Sequence, residues 1–281
     1  GNIDRTVVAR TLDSTSVGLY ANAYNLVNTP SNTILGFMQP VLYSACAKIQ
    51  DDPQRIRKAY LMLMAGIALV VMPVFFSMSA VSNTLVLALY GQHWAQAATV
   101  LQPIALAMPI ALLWGIATPV LWNTGKATLE FKMQLPLAGL WLIGAWFAAQ
   151  HSLAALAWTV LGLFLLRTVL FTVLATRQIA LPLADCARAL RGGLVLSLLA
   201  ALAAWSADHL LAELLPGNQA RLAAIIATCG LTVVLALRLL PGLLTFDLAS
   251  ILRPGLRRLP ARIARAAGWL LKPQLNAAHG R

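Results

Sequence analysis

Long apolar runs alternate with short polar gaps along this chain, and the basic residues are concentrated in every second gap. Seventeen of the 21 Lys and Arg residues lie in four stretches: 48–58, 126–132, 177–191 and from 238 to the end. The gaps between them, at 90–94, 150–152 and 205–221, hold only Arg221. Because basic loops are retained in the cytoplasm, this pattern predicts both the membrane spans and their orientation, with a cytoplasmic C-terminus.

The composition is typical of an integral membrane protein. The chain is 59% hydrophobic and 11% charged, with a mean hydropathy of +0.75, whereas soluble domains are about 45–50% apolar and about 25% charged. The net charge of +12 would suggest a nucleic-acid partner only if the basic residues formed one patch. Since most of them lie between apolar runs, we expect no nucleic-acid partner.

The cysteines and histidines are scattered along the sequence. The three Cys residues are far apart, no CxxC spacing occurs, and the four His residues form no ligand cluster. This distribution predicts neither a disulfide framework nor a metal site, and we expect no cofactor.

The hydropathy pattern predicts about seven complete transmembrane helices. We place them at 17–46, 59–89, 96–122, 133–149, 153–176, 192–211 and 221–243. Each span must be helical, because a sheet edge would leave backbone groups unpaired in lipid. The fold class is therefore an all-α, polytopic transmembrane bundle.

The two ends of the chain differ from this bundle. The chain opens with Gly1 rather than Met, and residues 3–12 are too short for the roughly 20 residues that a span needs. We therefore expect a fragment that begins inside a partial helix, 1–12. We expect residues 1–244 to form the bundle and 245–281 to form a basic amphipathic cytoplasmic tail that contacts anionic lipids.

The first complete span carries a polar stripe. Its members recur at steps of three or four residues, as one helix face requires: Asn25, Asn28, Asn32, Gly36 and Gln39. Tyr20 and Tyr24 are expected to extend the same side toward the outer face. Interhelical hydrogen bonding, worth about 0.6 kcal/mol per contact in membranes, would explain a single Asn. Four amide side chains in register favour a wet cavity instead.

Three charged residues are candidates for the same cavity. Asp4 and Arg5 are adjacent and therefore about 100° apart on a helix, so at least one should face a partner or a cavity. Arg167 lies ten residues before Arg177, about 15 Å along a helix, which limits its reach toward water. Two roles stay open for it: hydrogen bonding to carbonyls of a kinked helix, or binding an anionic substrate.

Catalytic machinery is not expected. The gaps between spans are too short to house an enzyme site, and the longest external gap offers Asp208, Glu213 and Arg221 alone. Asp51 and Asp52 are explained by a helix that starts at Pro53. Two functions stay open at this point: a multidrug exporter, which needs deep carboxylates of which only Asp4 qualifies, and a non-transporting assembly factor.

Residues 1–135 resemble the oligosaccharide flippase family of polysaccharide transporters, within the multidrug/oligosaccharidyl-lipid/polysaccharide superfamily. Five segments follow the family's order: NIDR (2–5), ARTL (9–12), VGLYANAY (17–24), IQDDPQRIRKAY (49–60) and LYGQHWAQAA (89–98). Ala9 and Asp13 depart from it, since the family usually has Gly at these positions. Beyond residue 135 only the hydropathy agrees.

The resemblance implies a location within a longer protein and a cargo. In this family the opening segment belongs to the seventh of about 14 helices, so the chain would be the C-terminal portion, and a preceding N-terminal lobe would complete it. Two lobes would enclose a central cavity in the bacterial inner membrane and work by alternating access. The implied cargo is an undecaprenyl-diphosphate-linked oligosaccharide for lipopolysaccharide or exopolysaccharide assembly.

Overall fold

The computed structural model describes residues 14–48, 53–215 and 217–240, with the side chains of the first helix described over 15–36. The predicted partial helix, 1–12, and the predicted tail, 245–281, lie outside these ranges. The described residues are almost entirely helical and contain no strand. The predicted all-α class is therefore confirmed.

Nine α-helices occur in the described ranges, and they follow the hydropathy pattern. They are α1 (Ser14–Lys48), α2 (Pro53–Gly66), α3 (Met72–Ala80), α4 (Ser82–Tyr90), α5 (Ala97–Asn123), α6 (Ala127–Ala149), α7 (Leu153–Gln178), α8 (Leu183–Leu210) and α9 (Asn218–Leu239). The predicted helix start at Pro53 is confirmed. The predicted span 192–211 begins nine residues earlier, at Leu183.

Five helical stretches in the described ranges are long and apolar enough to cross a membrane. They are Gln54–Ala80, α5, α7, α8 and α9. Helices α1 and α6 lie where spans were predicted but are not among these five. The chain is a multi-pass membrane protein.

The predicted span 59–89 is not a single α-helix. A π-helical turn, Ile67–Val71, separates α2 from α3, and α3 ends at Ala80, before Val81, whose φ/ψ of −116°/28° is not helical. Pro73 lies in the first turn of α3. Proline has no N–H and clashes with the preceding turn, so a wider turn before it is a common accommodation. The hydropathy pattern missed both breaks because they leave the apolar run uninterrupted.

Helix α8 packs closely against this broken helix. The backbone of Gly193 approaches Ala68 in the π-helical turn so closely that a Cβ at position 193 would lie 2.2 Å from the Ala68 carbonyl carbon. Small residues continue along the same face of α8, where Ala189, Ser197 and Ala200 are buried. Small residues let membrane helices approach at backbone distance, where dispersion contacts stabilise them.

Helix α5 is the centre of the bundle, since 18 of its 27 residues are buried. It stays helical through three prolines, as membrane helices can when neighbours satisfy the freed groups. Ser79 donates a hydrogen bond to the Gln102 carbonyl and Thr168 donates one to the Ile110 carbonyl, each at 2.8 Å. These bonds join α5 to α3 and to α7.

Helix α7 ends in a left-handed cap. Ala180 has a φ of 47°, and the amide of Leu181 donates to the Thr176 carbonyl at 2.8 Å while that of Ala180 donates to the Arg177 carbonyl at 3.3 Å. This is a Schellman motif, in which glycine is the usual residue because an L side chain disfavours positive φ. Arg57 of α2 donates to the neighbouring Ile179 carbonyl, which holds the cap in place.

Replacing Ala180 by glycine should therefore stabilise the protein by about 0.5–1 kcal/mol, because it removes the strain of the left-handed conformation. The unfolding midpoint of the detergent-solubilised protein should rise. Ala187→Gly, at an exposed position inside α8, is the matched control and should lower the midpoint. If Ala180→Gly lowered the unfolding midpoint as much as the control does, position 180 would not be strained.

Candidate functional site

One face of α1 is polar and is not covered by the rest of the described structure. Its exposed residues are Asn25, Thr29, Asn32, Thr33 and Gly36, and Asn28 at the edge is half-buried. These positions lie within about 140° of one another on a helix, whereas Tyr20, Ala23, Val27 and Ser31 on the other side are buried. The predicted stripe is therefore present, and Thr29 and Thr33 widen it.

Tyr24 does not belong to this open face. Its side chain is 8% exposed, and its ring stacks on Tyr20 with centroids 6.1 Å apart. Position 24 is about 100° from Asn25 on the helix, which turns the ring into the core. The prediction that Tyr20 and Tyr24 extend the polar stripe is wrong, because both rings are buried. The Gln39 side chain, Asp4 and Arg5 lie outside the described part.

Arg167 lies between three helices inside the bundle. Its guanidinium lies over the Trp114 indole, 3.6 Å from the ring centroid, and 5.9 Å from the Phe171 ring centroid. One terminal nitrogen donates to Oε1 of Gln134 at 2.9 Å. A cation over an indole face is favourable when it is removed from water. Its hydrogen-bond partner is thus a side chain, and the predicted bond to a kinked-helix carbonyl is not found among the described residues.

Sequence reasoning missed Glu130, which is joined to Arg167 through Gln134. The Glu130 side chain is 4% exposed and accepts hydrogen bonds from Thr118 at 3.2 Å, from Gln134 at 3.1 Å and from the Trp122 indole. Asp4 is therefore not the only deep carboxylate. Glu130 lies within the basic gap 126–132, outside the predicted spans, and only its position on the inner face of α6 buries it.

An ion pair lies at the other end of the bundle. Arg221 of α9 pairs with Asp208 of α8 at 2.7 Å between Nε and Oδ1, and Thr84 of α4 donates to the same oxygen at 2.7 Å. Both charged side chains are largely covered, at 19% and 15% exposure. The contact joins three elements and leaves these charges neutralised, so we assign it a structural role.

Within the described ranges, no three His, Cys, Asp or Glu side chains come together in a way that could hold a metal ion. The polar groups available are amides, hydroxyls and the Glu130–Gln134–Arg167 chain. Such groups can hold a polar, uncharged molecule or a single anion by hydrogen bonding.

Comparison with known proteins agrees with the resemblance drawn from the sequence. Residues 1–99 match the family described as "Polysaccharide biosynthesis protein". The teichuronic acid biosynthesis protein TuaB of Bacillus subtilis is 27% identical over 56% of this chain and 33% of its own length. The lipopolysaccharide biosynthesis protein WzxC of Escherichia coli is 28% identical over 48% and 27%.

The succinoglycan biosynthesis transport protein ExoT of Rhizobium meliloti is 25% identical over 44% of this chain and 25% of its own length. The matches span a third or less of each of these relatives. No solved structure matches the chain significantly. The resemblance to polysaccharide biosynthesis and transport proteins is thus confirmed for the first part of the chain, where residues 1–99 match the polysaccharide biosynthesis protein family.

Proposed function

We propose that this chain is the C-terminal portion of a transporter that moves an undecaprenyl-diphosphate-linked oligosaccharide across the bacterial inner membrane for lipopolysaccharide or exopolysaccharide assembly. The observation that carries the proposal is the uncovered polar face of α1. The names of the relatives, which concern polysaccharide biosynthesis and transport, support the class of cargo. The proposed process is translocation without covalent chemistry.

The open face of α1 requires a polar neighbour. Moving an unpaired amide from water into hydrocarbon costs several kcal/mol, so the exposed Asn32 is unsuited to face lipid tails. Water, cargo or the other lobe must therefore cover this face. Asn side chains each offer donors and an acceptor, which suits the hydroxyl groups of a sugar.

The charged residues fit a lipid diphosphate better than a cationic drug. Glu130 is enclosed by three donors, so its carboxylate is poorly placed to bind a cation. Nε of Arg167 has no hydrogen-bond partner among the described residues, and Arg5 remains a candidate from the sequence. A planar guanidinium suits phosphate oxygens. These observations favour the oligosaccharide transporter over a multidrug exporter.

Other partners follow from the same proposal. The N-terminal lobe would supply the opposite wall of the cavity, because alternating-access sites lie between two repeats. The basic residues of 245–281 would hold anionic lipids on the cytoplasmic side.

Complementation of a flippase-null cell tests the function. The full-length gene that contains this chain should restore surface polysaccharide and deplete the lipid-linked oligosaccharide that accumulates inside. Residues 1–281 expressed alone should not restore export, because one wall of the cavity is missing. Failure of the full-length protein, at normal membrane levels, would contradict the proposed cargo, and restoration by 1–281 alone would contradict the two-lobe arrangement.

Substitution of the open face should impair export without harming the fold. In the full-length protein, we expect Asn28→Leu and Asn32→Leu to lower surface polysaccharide about tenfold, equivalent to roughly one lost polar contact to the cargo. Arg5→Ala should abolish export and Arg5→Lys should restore part of it. Membrane levels should stay normal, because leucine on this face creates no clash.

Leu26→Ala serves as the control, since Leu26 packs against the core and lies outside the open face. It should affect stability more than export. Normal export by both Asn28→Leu and Arg5→Ala would mean that the stripe only packs against neighbouring helices.

A further inference from the structure

A cleft of about 540 Å³ lies where α1 begins, beside the segment that joins α4 to α5. Its polar lining residues, Thr15, Gln92, His93 and Gln96, are all exposed. Trp94 forms the apolar wall. Its indole lies close to α1 at Gly18, since a Cβ added to this glycine would be 3.8 Å from the ring. The cleft is therefore open and mixed in character, with one aromatic ring and several neutral polar groups.

The Trp94 indole is held in a fixed position. His93 contacts it edge-on, with ring centroids 5.6 Å apart, and Tyr90 is tilted against it at 6.4 Å. Anchoring in the membrane interface alone would explain a tryptophan at this position. The structure instead places the ring at the wall of a cleft, where one aromatic surface is presented to whatever enters.

The chemistry of the lining fits a neutral saccharide. Among the residues that the structure describes, no carboxylate, guanidinium or ammonium group lines the cleft, so this lining offers no cation of the kind that a diphosphate would need. The amides of Gln92 and Gln96 offer both donors and acceptors, as adjacent sugar hydroxyls require. A tryptophan combines a large apolar surface with an N–H donor, which matches the C–H face of a pyranose ring.

The cleft is continuous with the open face of α1. Thr15, Gly18, Asn25 and Asn32 follow one another at steps of three, seven and seven residues, so they lie on the same side of the helix. From residue 15 to residue 32 the helix rises about 25 Å. One polar track thus leads from the middle of α1 to the end of the bundle that the charge pattern predicts to be extracytoplasmic.

We propose that the cleft formed by Thr15, Gln92, His93, Trp94 and Gln96 is a saccharide subsite at the extracytoplasmic end of the transport path. It binds the sugar portion of the cargo, while the diphosphate stays with the cationic residues deeper in the protein. The inference rests on the proposed function, because that function supplies the cargo.

Site-specific photocrosslinking in the full-length protein tests the subsite. The photoreactive residue p-benzoylphenylalanine is placed at Gln92, and as a control at His151, which is also exposed at the same end of the bundle but outside the cleft. The probe is tritiated lipid-linked oligosaccharide extracted from flippase-null cells. Labelling is expected at position 92 and not at 151.

Competition identifies the part of the cargo that is bound. Free oligosaccharide, released from the probe by mild acid, should suppress labelling at 92, and undecaprenyl diphosphate should not. Trp94→Leu should lower this labelling about tenfold, and Trp94→Tyr should keep part of it because a ring remains. Gln96→Ala, which removes an exposed amide, should lower labelling even if the Trp94→Leu protein fails to accumulate.

Equal labelling at 92 and 151, or suppression by undecaprenyl diphosphate alone, would overturn the subsite. Complementation by the unmodified full-length protein separates the two proposals. Restored export without sugar-dependent labelling refutes the subsite only, and absent export refutes the proposed function.

Discussion

Gly193→Ala should destabilise the bundle, and Gly193→Leu should prevent its assembly. The added Cβ would lie 2.2 Å from the carbonyl carbon of Ala68 and 2.4 Å from its oxygen. These are backbone atoms that no rotamer change can move, so α8 must shift away from the π-helical turn. Overpacking of this kind costs about 1–3 kcal/mol, and we expect more for leucine.

The measurement is the thermal unfolding midpoint of the detergent-solubilised protein, together with its level in the membrane. Gly162→Ala is the control, because a Cβ at this helical position meets nothing within 4 Å. That variant should be neutral or slightly stabilising. If Gly193→Ala had the same unfolding midpoint and membrane level as the control, the close approach of α8 to the broken helix would be incorrect.

The second large effect is expected at Glu130. Glu130→Leu removes the acceptor for Thr118, Trp122 and Gln134. Each buried donor left unpaired costs about 1–3 kcal/mol. Because these three donors are only partly buried, we expect the free energy of unfolding to fall by roughly 3 kcal/mol in total. The link from α5 and α6 to Arg167 would weaken at the same time, because Gln134 is no longer held in position.

Glu130→Gln separates hydrogen bonding from charge. It keeps one acceptor oxygen and should retain most of the stability. The same unfolding measurement decides between the variants. If Glu130→Leu were stable but failed to export while Glu130→Gln exported normally, Glu130 would contact the cargo and would not be a structural residue.

This pair of variants also bears on Arg167. If Arg167 is structural, Arg167→Leu should lower stability by an amount that is not additive with Glu130→Leu, since residues in one network couple. If it binds an anionic group, export should fall while the unfolding midpoint stays unchanged.

Most of the helices could be predicted from the sequence, because a membrane span is a local property. A run of apolar residues must pair its own backbone groups when it lies in lipid, so α5, α7 and α9 follow from the composition of their own segments. Pro53 marks its helix start for a similarly local reason. The polar face of α1 could also be found, since a repeat of three and four residues defines a helix side.

The break at Val81 and the π-helical turn could not be predicted this way. Both lie inside an apolar run, and their geometry depends on Pro73 together with the close approach of α8. Burial of Tyr24 and Glu130 was missed for a related reason. Which side of a helix faces the core depends on neighbours that are distant in the sequence, such as Thr118 for Glu130.

The sequence by itself determined that the chain is helical, crosses a membrane repeatedly and resembles a polysaccharide biosynthesis family over residues 1–99. Only the tertiary structure decided which polar groups pair inside the bundle and which stay open. Arg167 over Trp114, Arg221 with Asp208, and the cleft between α1 and Trp94 each join residues from different helices. Hydropathy records the preference of one residue for water or lipid, whereas such sites depend on distances between side chains that only packing fixes.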